Sequence, residues 1–349
     1  MRIDDIRDNI KKDEQHFRYK GKEGRKALQK RKWIALLAAL ALLLSGCGSP
    51  AETSSALKQT QSALQGSLAE AGKSQSSDKT GAFVSPPFLD AVFHADAAEG
   101  NDSVKLDLSA LQDGYVAVSA VSEKRMKFQV ICGDETYTYN LSSDGEPLIF
   151  PLSCGSGGYR FRVMENVVDS KYAELYSAER SVALSDDFQP FLRPSVYVPY
   201  SADSKCVQKA AELASHVDDE IELIGAVYDY ICRSIRYDTQ KASTVQSGYL
   251  PDPDETMKSG KGICFDYAAL AAAMLRSQGI PTKEIFGYVS PNDVYHAWNM
   301  FYTEQSGWVT VSFETREDDW NRMDATFAAN GANDKFIGDG SNYADLYWY

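Results

Sequence analysis

The chain has 349 residues, of which 44% are hydrophobic and 24% are charged. This length predicts about two domains, and the composition excludes a largely disordered protein because enough apolar surface is available for a core. Residues 1–46 carry 12 Lys and Arg against 6 Asp and Glu, and the rest of the chain carries 24 against 43. Because so acidic a body repels phosphate backbones, we expect no nucleic acid among its partners.

A metal centre is not indicated either. The six cysteines and four histidines are spread singly along the sequence, whereas a structural zinc site needs closely spaced pairs such as C-x-x-C. Asp252 and Asp254 alternate with prolines and lack further ligands nearby, so we interpret them as turn residues rather than as calcium ligands. The sequence therefore predicts no metal site.

The N-terminal segment, residues 1–46, is predicted to be a signal peptide or an N-terminal anchor. Trp33–Leu44 is apolar throughout and follows a basic cluster. As a helix it rises about 18 Å, which is too short for a bilayer core of roughly 30 Å but fits a signal-peptide core. The following Leu44-Ser-Gly-Cys47 resembles a bacterial lipobox, which implies that Cys47 is lipidated and becomes the mature N-terminus. An uncleaved anchor is the alternative. Both leave the body on the extracytoplasmic face of the cell membrane, because the basic cluster stays inside.

Residues 47–80 are rich in Ser, Ala, Gln and Lys and contain no aromatic residue, so we predict a flexible tether. Residues 81–192 then alternate between apolar and polar positions, as in Tyr159–Val163, with turn sequences about every ten residues. This pattern predicts a small antiparallel β-sandwich, in which we find no catalytic constellation. Cys132 and Cys154 follow predicted strands of this exported domain and either form a disulfide or stay two buried thiols.

Residues 193–349 change to a helical period. One helix is predicted from about Ser204 to about Ser215, a second starts near Asp218, and a third covers Cys264–Ser277. A loop is predicted around Pro251–Asp254. Strands follow at Lys283–Val289, Val294–Tyr302 and Trp308–Phe313, and the aromatic segment Leu346–Tyr349 is predicted to pack back on the domain. The fold class is therefore α+β, with helices packed on a mostly antiparallel sheet and an all-β sandwich before them.

Cys264 is the candidate nucleophile. The sequence Lys261-Gly-Ile-Cys264 places it after a glycine turn, at the first turn of a helix. The unpaired N–H groups and the dipole at a helix start stabilise a thiolate, and they can also bind an oxyanion beside the sulfur. Position alone is weak support, because cysteines at helix starts are more often buried and inert.

A histidine and an aspartate follow in positions that could complete a catalytic site. His296 lies in Tyr295-His-Ala-Trp-Asn299, on a strand that we expect beside the cysteine helix. A cysteine nucleophile needs an imidazole that takes its proton and later protonates the leaving group. Asp324 lies in Trp320-Asn-Arg-Met-Asp-Ala-Thr-Phe327 and supplies a carboxylate that can orient the imidazole.

The motifs G-x-C-x-D-Y-A, H-A-W-N and D-A-T-F, in this order, resemble the transglutaminase-like superfamily over about Pro199–Phe327. The resemblance implies a papain-like core with a Cys-His-Asp triad and no metal or organic cofactor. Carried over residue by residue, it implies Cys264 as nucleophile, His296 as general base and acid, and Asp324 as the residue that orients His296.

One departure concerns the aspartate. Many members of the superfamily carry it at the end of the strand that follows the histidine strand, and this chain has Ser312 near that position. The D-x-T-F motif with Asp324 comes a dozen residues later. Asp318 and Asp319 compete for the role, although their acidic surroundings are more typical of solvated turn residues.

Several further residues carry smaller hypotheses. We interpret Asp266 as a residue that stabilises the start of the cysteine helix. Trp298 either walls the cleft and excludes water or belongs to the core. Gln246 and Tyr249 are weak candidates for a second oxyanion donor. The helical Cys206 and Cys232 are interpreted as core residues.

Two functions from different classes are compatible with the sequence. The first is a surface-tethered cysteine acyl-transfer enzyme that acts on peptide or glutamine-type amides through a thioester, with hydrolysis expected more than cross-linking. Its substrates would be peptides or proteins, including components of the cell envelope. The alternative is a catalytically inactive binding or scaffold lipoprotein of the envelope. The sequence leaves the oligomeric state open.

Overall fold

The computed structural model describes the part of the chain that the sequence assigns to folded domains. Residues Lys79–Tyr349 form one compact unit. The described residues are 82–289, 294–304, 306–314, 322–326 and 343–349.

Some sequence-based predictions concern residues outside these ranges. The signal segment 1–46, the lipidation site Cys47 and the tether 47–80 lie outside the described residues, as do Asp318 and Asp319. In the part of the chain that is described, no helix combines the length and the apolarity needed to cross a bilayer.

The described residues confirm the α+β class, with strands first, then helices, then strands. In chain order the elements are β1 (Glu99–Gly100), β2 (Val104–Asp107), β3 (Tyr115–Ala120), β4 (Met126–Cys132), β5 (Glu135–Leu141), β6 (Leu148–Pro151), β7 (Gly157–Val168), β8 (Lys171–Val182), α1 (Lys205–Ala214), α2 (Glu220–Ser234), β9 (Arg236–Tyr237), α3 (Thr239–Thr244), α4 (Pro253–Ser259), β10 (Lys261–Gly262), α5 (Cys264–Arg276), β11 (Thr282–Val289), β12 (Val294–Thr303), β13 (Gly307–Glu314), β14 (Arg322–Thr326) and β15 (Tyr343–Trp348).

The first eight strands form two antiparallel four-stranded sheets, in the orders β1-β2-β3-β6 and β5-β4-β7-β8. Strand β4 alternates strictly between buried and half-buried positions, because successive side chains of a strand point to opposite faces. Its buried Phe128 packs against Phe150 of the first sheet and Phe161 of the second, with ring centroids 4.6 and 6.4 Å apart. The predicted all-β arrangement is therefore observed.

Cys132 and Cys154 form a disulfide. Cys132 ends β4, and Cys154 lies between β6 and β7, which belong to different sheets. The bond therefore ties the segment that leads from one sheet to the other to the end of β4, an inner strand of the second sheet. Of the two alternatives that the sequence left open, the disulfide is correct.

Helix α5 is surrounded by other elements. It packs against α1, α2 and α4 on one side and against β11 and β12 on the other. Every residue from Asp266 to Arg276 is buried, which the Ala- and Leu-rich sequence allows because it is apolar on all faces. Strands β11–β15 form an antiparallel sheet in the order β14-β13-β12-β11-β15. The pairing of β15 with β11 confirms that the aromatic segment packs back on the domain.

The predicted loop around Pro251–Asp254 is partly wrong, because helix α4 begins at Pro253. Asp252 accepts a hydrogen bond from the Glu255 backbone N–H (2.9 Å) and caps this helix. Proline is tolerated at the first position of a helix, where its missing N–H would have no partner anyway. The two prolines suggested a turn, but the aspartate between them is a helix cap.

The sandwich and the helical half share a continuous aromatic core. Tyr197 contacts Tyr139 of β5 and Phe265 of α5, with ring centroids 5.5 Å apart in both pairs. The ring centroid of Phe286 on β11 lies 4.9 Å from that of Phe265. The residue next to Cys264 is thus held by aromatic side chains that also reach the sandwich. The boundary near residue 193 between two domains stays a prediction.

Removing the disulfide should lower the stability of the sandwich. The double variant C132A/C154A loses a cross-link between residues 22 positions apart, which corresponds to about 3 kcal/mol of unfolding free energy in the chain-entropy account. We expect a lower urea midpoint for the variant than for the wild type under oxidising conditions. With dithiothreitol the two midpoints should converge. Equal midpoints without reductant would contradict the prediction.

Candidate active site

The backbone before the nucleophile is fixed by a short parallel ladder. Strand β9 pairs with β10, with Tyr237 opposite Gly262. The Asp238 N–H donates to the Gly262 carbonyl at 2.8 Å. Because β9 directly follows α2, this ladder ties the chain two residues before Cys264 to the end of a helix whose apolar face is buried.

Gly262 is required by a close approach. A Cβ atom at this position would lie 2.7 Å from the Cβ of Asp266, a distance at which something must shift. The glycine therefore lets the first turn of α5 fold back on the strand that precedes it.

The start of α5 is capped by a buried carboxylate, as the sequence predicted for Asp266. This side chain is 0% exposed, and its Oδ2 atom accepts a hydrogen bond from the Ile263 N–H at 2.8 Å. Asp266 is the third residue of the helix and Ile263 is its N-cap, so this bond gives a partner to an N–H group that the helix itself leaves unpaired. Lys241 and Tyr249 also contact this carboxylate, at 2.6 and 2.5 Å.

Strand β12 brings the histidine segment to the cysteine. The backbone N–H groups of Phe265 and of Ala297, the residue after His296, act to lower the pKa of the Cys264 thiol. Asn299 of the same strand donates from Nδ2 to the Ala268 carbonyl of α5 at 3.0 Å. The Tyr228 hydroxyl donates in turn to Oδ1 of Asn299 (3.3 Å). This buried amide fixes the histidine strand against the nucleophile helix.

His296 pairs with Gly287 of β11, so no side chain stands directly opposite the imidazole on the neighbouring strand. Trp298 follows on the same face of β12. Its ring is stacked on the imidazole, with centroids 6.3 Å apart and an angle of 21° between the rings. Trp298 is fully buried, so it is a core residue that also borders the histidine.

The backbone register locates Asp324 relative to the histidine. Asp324 on β14 pairs with Ser312 on β13, and β13 pairs with β12, with Thr310 opposite Met300. Since alternate residues of a strand share a face, positions 296, 312 and 324 belong to one face of the sheet. Asp324 lies two strands away from His296, about 10 Å across the sheet. The orienting role of Asp324 stays a prediction.

Burial keeps both catalytic candidates neutral. It raises the pKa of the Cys264 thiol, although the N–H groups of Ala297 and Phe265 act in the opposite direction. Burial also lowers the pKa of His296 to about 4. The thiolate expected from the helix start is therefore not the resting species, because the loss of hydration outweighs the hydrogen bonds. A neutral imidazole is, however, the form that accepts a proton.

Glu284 is a second buried acid near the nucleophile. It lies on β11 opposite Asn299 and is 0% exposed, and neither carboxyl oxygen has a hydrogen-bond partner among the described residues. Burial raises the pKa of Glu284 well above its usual range, and the nearby Arg276 acts in the opposite direction. Its ionisation would raise the thiol pKa further.

The weaker sequence candidates have other partners. The Tyr249 hydroxyl donates to Asp266 and accepts from Lys241, and the Gln246 amide donates to the Thr244 carbonyl at 2.9 Å. The prediction of either residue as an oxyanion donor is not supported, because both side chains are engaged in their own loop or in the cap.

The aspartates considered as calcium ligands cap helices instead. Asp252 caps α4, and Asp254 accepts from the Lys205 and Cys206 N–H groups (2.8 and 2.9 Å) at the start of α1. Among the described residues no group of His, Cys, Asp or Glu is arranged to hold a metal ion. Cys206 and Cys232 are buried core residues, as predicted.

Sequence reasoning missed two residues that make polar contacts with α5 beside the candidate site. Lys241 lies 25 positions before Asp266 in a polar segment, and no local pattern distinguishes it from a surface lysine. Asn299 could have been found, because a polar amide among the apolar residues of a strand must satisfy its hydrogen bonds once it is buried.

Residues 207–313 match the family model of the transglutaminase-like superfamily. A UPF0252 protein of Methanocaldococcus jannaschii is 28% identical over 103 residues, which cover 28% of this chain and 28% of that protein. The kyphoscoliosis peptidase of Homo sapiens is 26% identical over 147 residues, which cover 38% of this chain and 22% of that protein. The matches thus span about a quarter of the length of these curated relatives.

Solved structures of low similarity include the periplasmic domain of TgpA from Pseudomonas aeruginosa. It is 16% identical, and the alignment covers 63% of this chain and 72% of that chain with a TM-score of 0.30. A red sea bream transglutaminase is 13% identical over 60% of this chain and 49% of that chain, with a TM-score of 0.28. TM-scores of this size add nothing to the match over residues 207–313.

The raised thiol pKa predicts how alkylation depends on pH. We expect the rate of Cys264 modification by iodoacetamide to rise about tenfold per pH unit between pH 7 and 9, because the thiolate is the reactive species. Peptide mapping gives the rate for each cysteine. Cys206 and Cys232 are internal controls, since burial raises both pKa values, that of Cys232 to about 12. A rate for Cys264 that levels off below pH 7 would indicate a resting thiolate and contradict the prediction.

Proposed function

Because residues 207–313 of this chain form a domain of the transglutaminase-like superfamily, we propose that the protein is a cysteine-dependent acyl-transfer enzyme that acts on peptide or glutamine-type amides. The observation that carries the proposal is that the histidine strand β12 lies against the first turns of the helix that begins at Cys264, since Asn299 of β12 donates to the Ala268 carbonyl at 3.0 Å. Cys264 can form the covalent intermediate there, and β12 also carries the neutral imidazole of His296.

The chemical steps follow from this geometry. As the Cys264 sulfur attacks the amide carbonyl, its proton passes to His296, and the carbonyl oxygen becomes an oxyanion that N–H groups at the start of α5 can stabilise. The tetrahedral intermediate then breaks its C–N bond. His296 returns the proton to the departing nitrogen, and a thioester on Cys264 remains. Asp324 is proposed as the residue that orients the imidazole.

Water or an amine can resolve the thioester. Attack by water releases a carboxylic acid and regenerates the thiol, as in a peptidase or an amidase. Attack by a lysine amine forms a new amide, as in a cross-linking enzyme. We propose hydrolysis as the main reaction, in line with what the sequence resemblance implies for bacterial members of the superfamily.

The raised pKa of Cys264 is the observation that favours a second candidate function. In that candidate, the domain keeps the triad residues but works as a binding or scaffold module of the cell envelope. The two functions differ in whether a thioester forms at Cys264.

Variants of the three triad residues test the enzymatic function. On peptides and glutamine-type amides, C264A should abolish turnover, and H296A should lower kcat by about 10²- to 10⁴-fold because it removes the proton-transfer group. D324N should also lower kcat, by about 10- to 10⁴-fold, whereas the matched control D319N should keep wild-type turnover. Released ammonia or amine is measured with and without an added amine, which separates hydrolysis from transfer.

Turnover by C264A at the wild-type rate would exclude the proposed mechanism. A loss of kcat in D319N but not in D324N would assign the orienting role to Asp319. If no substrate reacts and Cys264 forms no acyl adduct with an activated ester, the scaffold function is favoured.

We further propose that the body acts outside the cytoplasm, held at the membrane by a lipid on Cys47 and the segment 47–80. In cells grown with a labelled fatty acid, the wild type should incorporate the label and partition with membranes. The C47S variant should lose the label, whereas C264S should retain it. A C47S variant that lacks the label but stays in the membrane would indicate an uncleaved anchor instead.

A further inference from the structure

Lys241 of helix α3 and Tyr249 of the loop after it both contact the Asp266 carboxylate of α5. Helix α3 has no buried residue, yet its Lys241 side chain is only 29% exposed. The ammonium lies 2.6 Å from Oδ2 of Asp266 and 2.6 Å from the Tyr249 hydroxyl, and it stands 4.3 Å from the centroid of the Tyr249 ring.

This ion pair differs from the surface pairs of the same molecule. Lys258 and Glu255 lie 2.9 Å apart on α4, but their side chains are 78% and 58% exposed, and such pairs contribute little to stability. In the Lys241 pair the carboxylate is 0% exposed. Removal of one partner from a buried pair leaves an uncompensated charge, which is strongly unfavourable.

The carboxylate that Lys241 neutralises supports the residue next to the nucleophile. Oδ2 of Asp266 accepts the Ile263 N–H, and Ile263 directly precedes Cys264. If the carboxylate turns toward solvent to regain hydration, this hydrogen bond is lost and the first turn of α5 loosens.

Lys241 also influences the charge balance around the sulfur. The negative charge of Asp266 raises the thiol pKa, and the lysine supplies the opposite charge at the same carboxylate. The other titratable groups that act electrostatically on Cys264 or lie beside it are Tyr237 on β9, Glu284 on β11, and Tyr295 and His296 on β12.

We propose that Lys241 is a positioning residue for Cys264, which acts by neutralising the Asp266 carboxylate and so keeps the cap on Ile263 and the first turn of α5 in place. The inference rests on the proposed role of Cys264 as the nucleophile. It assigns a function to helix α3, which otherwise contributes nothing to the core. Lys241 itself does not touch the reacting atoms.

The variant K241M keeps the length of the side chain and removes the charge. We expect it to slow the alkylation of Cys264 at pH 7.5 by about tenfold or more, and to move the pH profile of alkylation to higher pH, because an unneutralised carboxylate disfavours the thiolate. K241R keeps the charge and should retain most of the wild-type rate. K258M is the matched control on an exposed pair and should leave both the rate and the pH profile unchanged.

A second substitution at the partner tests whether Lys241 acts through Asp266. In D266N the amide oxygen can still accept the Ile263 N–H, but no buried charge needs a cation. We therefore expect K241M to slow the alkylation of Cys264 by less than about twofold in the D266N background. A general loss of packing would slow alkylation equally in both backgrounds. If K241M alone fails to fold, two comparisons still test the inference. D266N/K241M should alkylate at nearly the rate of D266N, and K241R at nearly the wild-type rate.

Hydrogen exchange at the Ile263 amide gives a readout that does not depend on catalysis. K241M should speed its exchange by about tenfold or more, and K258M should not. Wild-type exchange and alkylation rates in K241M, or an equal cost of K241M in both backgrounds, would overturn the inference. If instead wild-type Cys264 is no more reactive than Cys206 and Cys232, the proposed function fails, and the exchange data alone decide the role of Lys241.

Discussion

The burial of helix α5 on every side is the constraint on which the rest of the structure depends. Its residues from Asp266 to Arg276 are all buried, so three helices and two strands of a sheet must surround it. Only its first two residues, Cys264 and Phe265, keep partial exposure. A cysteine at the start of such a helix is held in place by the whole core, which suits the nucleophile role proposed for Cys264.

Each end of this helix carries a buried charge that the fold must satisfy. At the start, Asp266 is paired with Lys241 and receives the Ile263 N–H. At the end, the Arg276 guanidinium donates to the backbone oxygens of Thr282 (2.8 Å) and Tyr349 (2.7 Å). Because unpaired buried charges are costly, these partners fix where α3, β11 and β15 meet the helix. The polar contacts thus orient a helix whose apolar surface alone could pack in several ways.

The resting site is a pair of neutral groups. Burial raises the thiol pKa and lowers that of His296 to about 4, so the proposed mechanism starts from a thiol and from an imidazole that can take its proton. The same burial lowers the local dielectric, which in the proposed mechanism would strengthen the hydrogen bonds to a developing oxyanion. Asn299 and Trp298 hold the histidine strand in this environment by a hydrogen bond to α5 and by ring stacking.

The sequence by itself determined the α+β class, the strand periodicity, the helix from Cys264 and the capping role of Asp266, because these depend on local patterns of apolar residues and caps. It could not decide the disulfide between Cys132 and Cys154, the helix at Pro253, or the partners of Tyr249. Nor could it show Lys241 at the cap, or that burial opposes a thiolate at Cys264. These depend on which groups from distant segments share one low-dielectric neighbourhood, and only tertiary packing sets hydration and charge there.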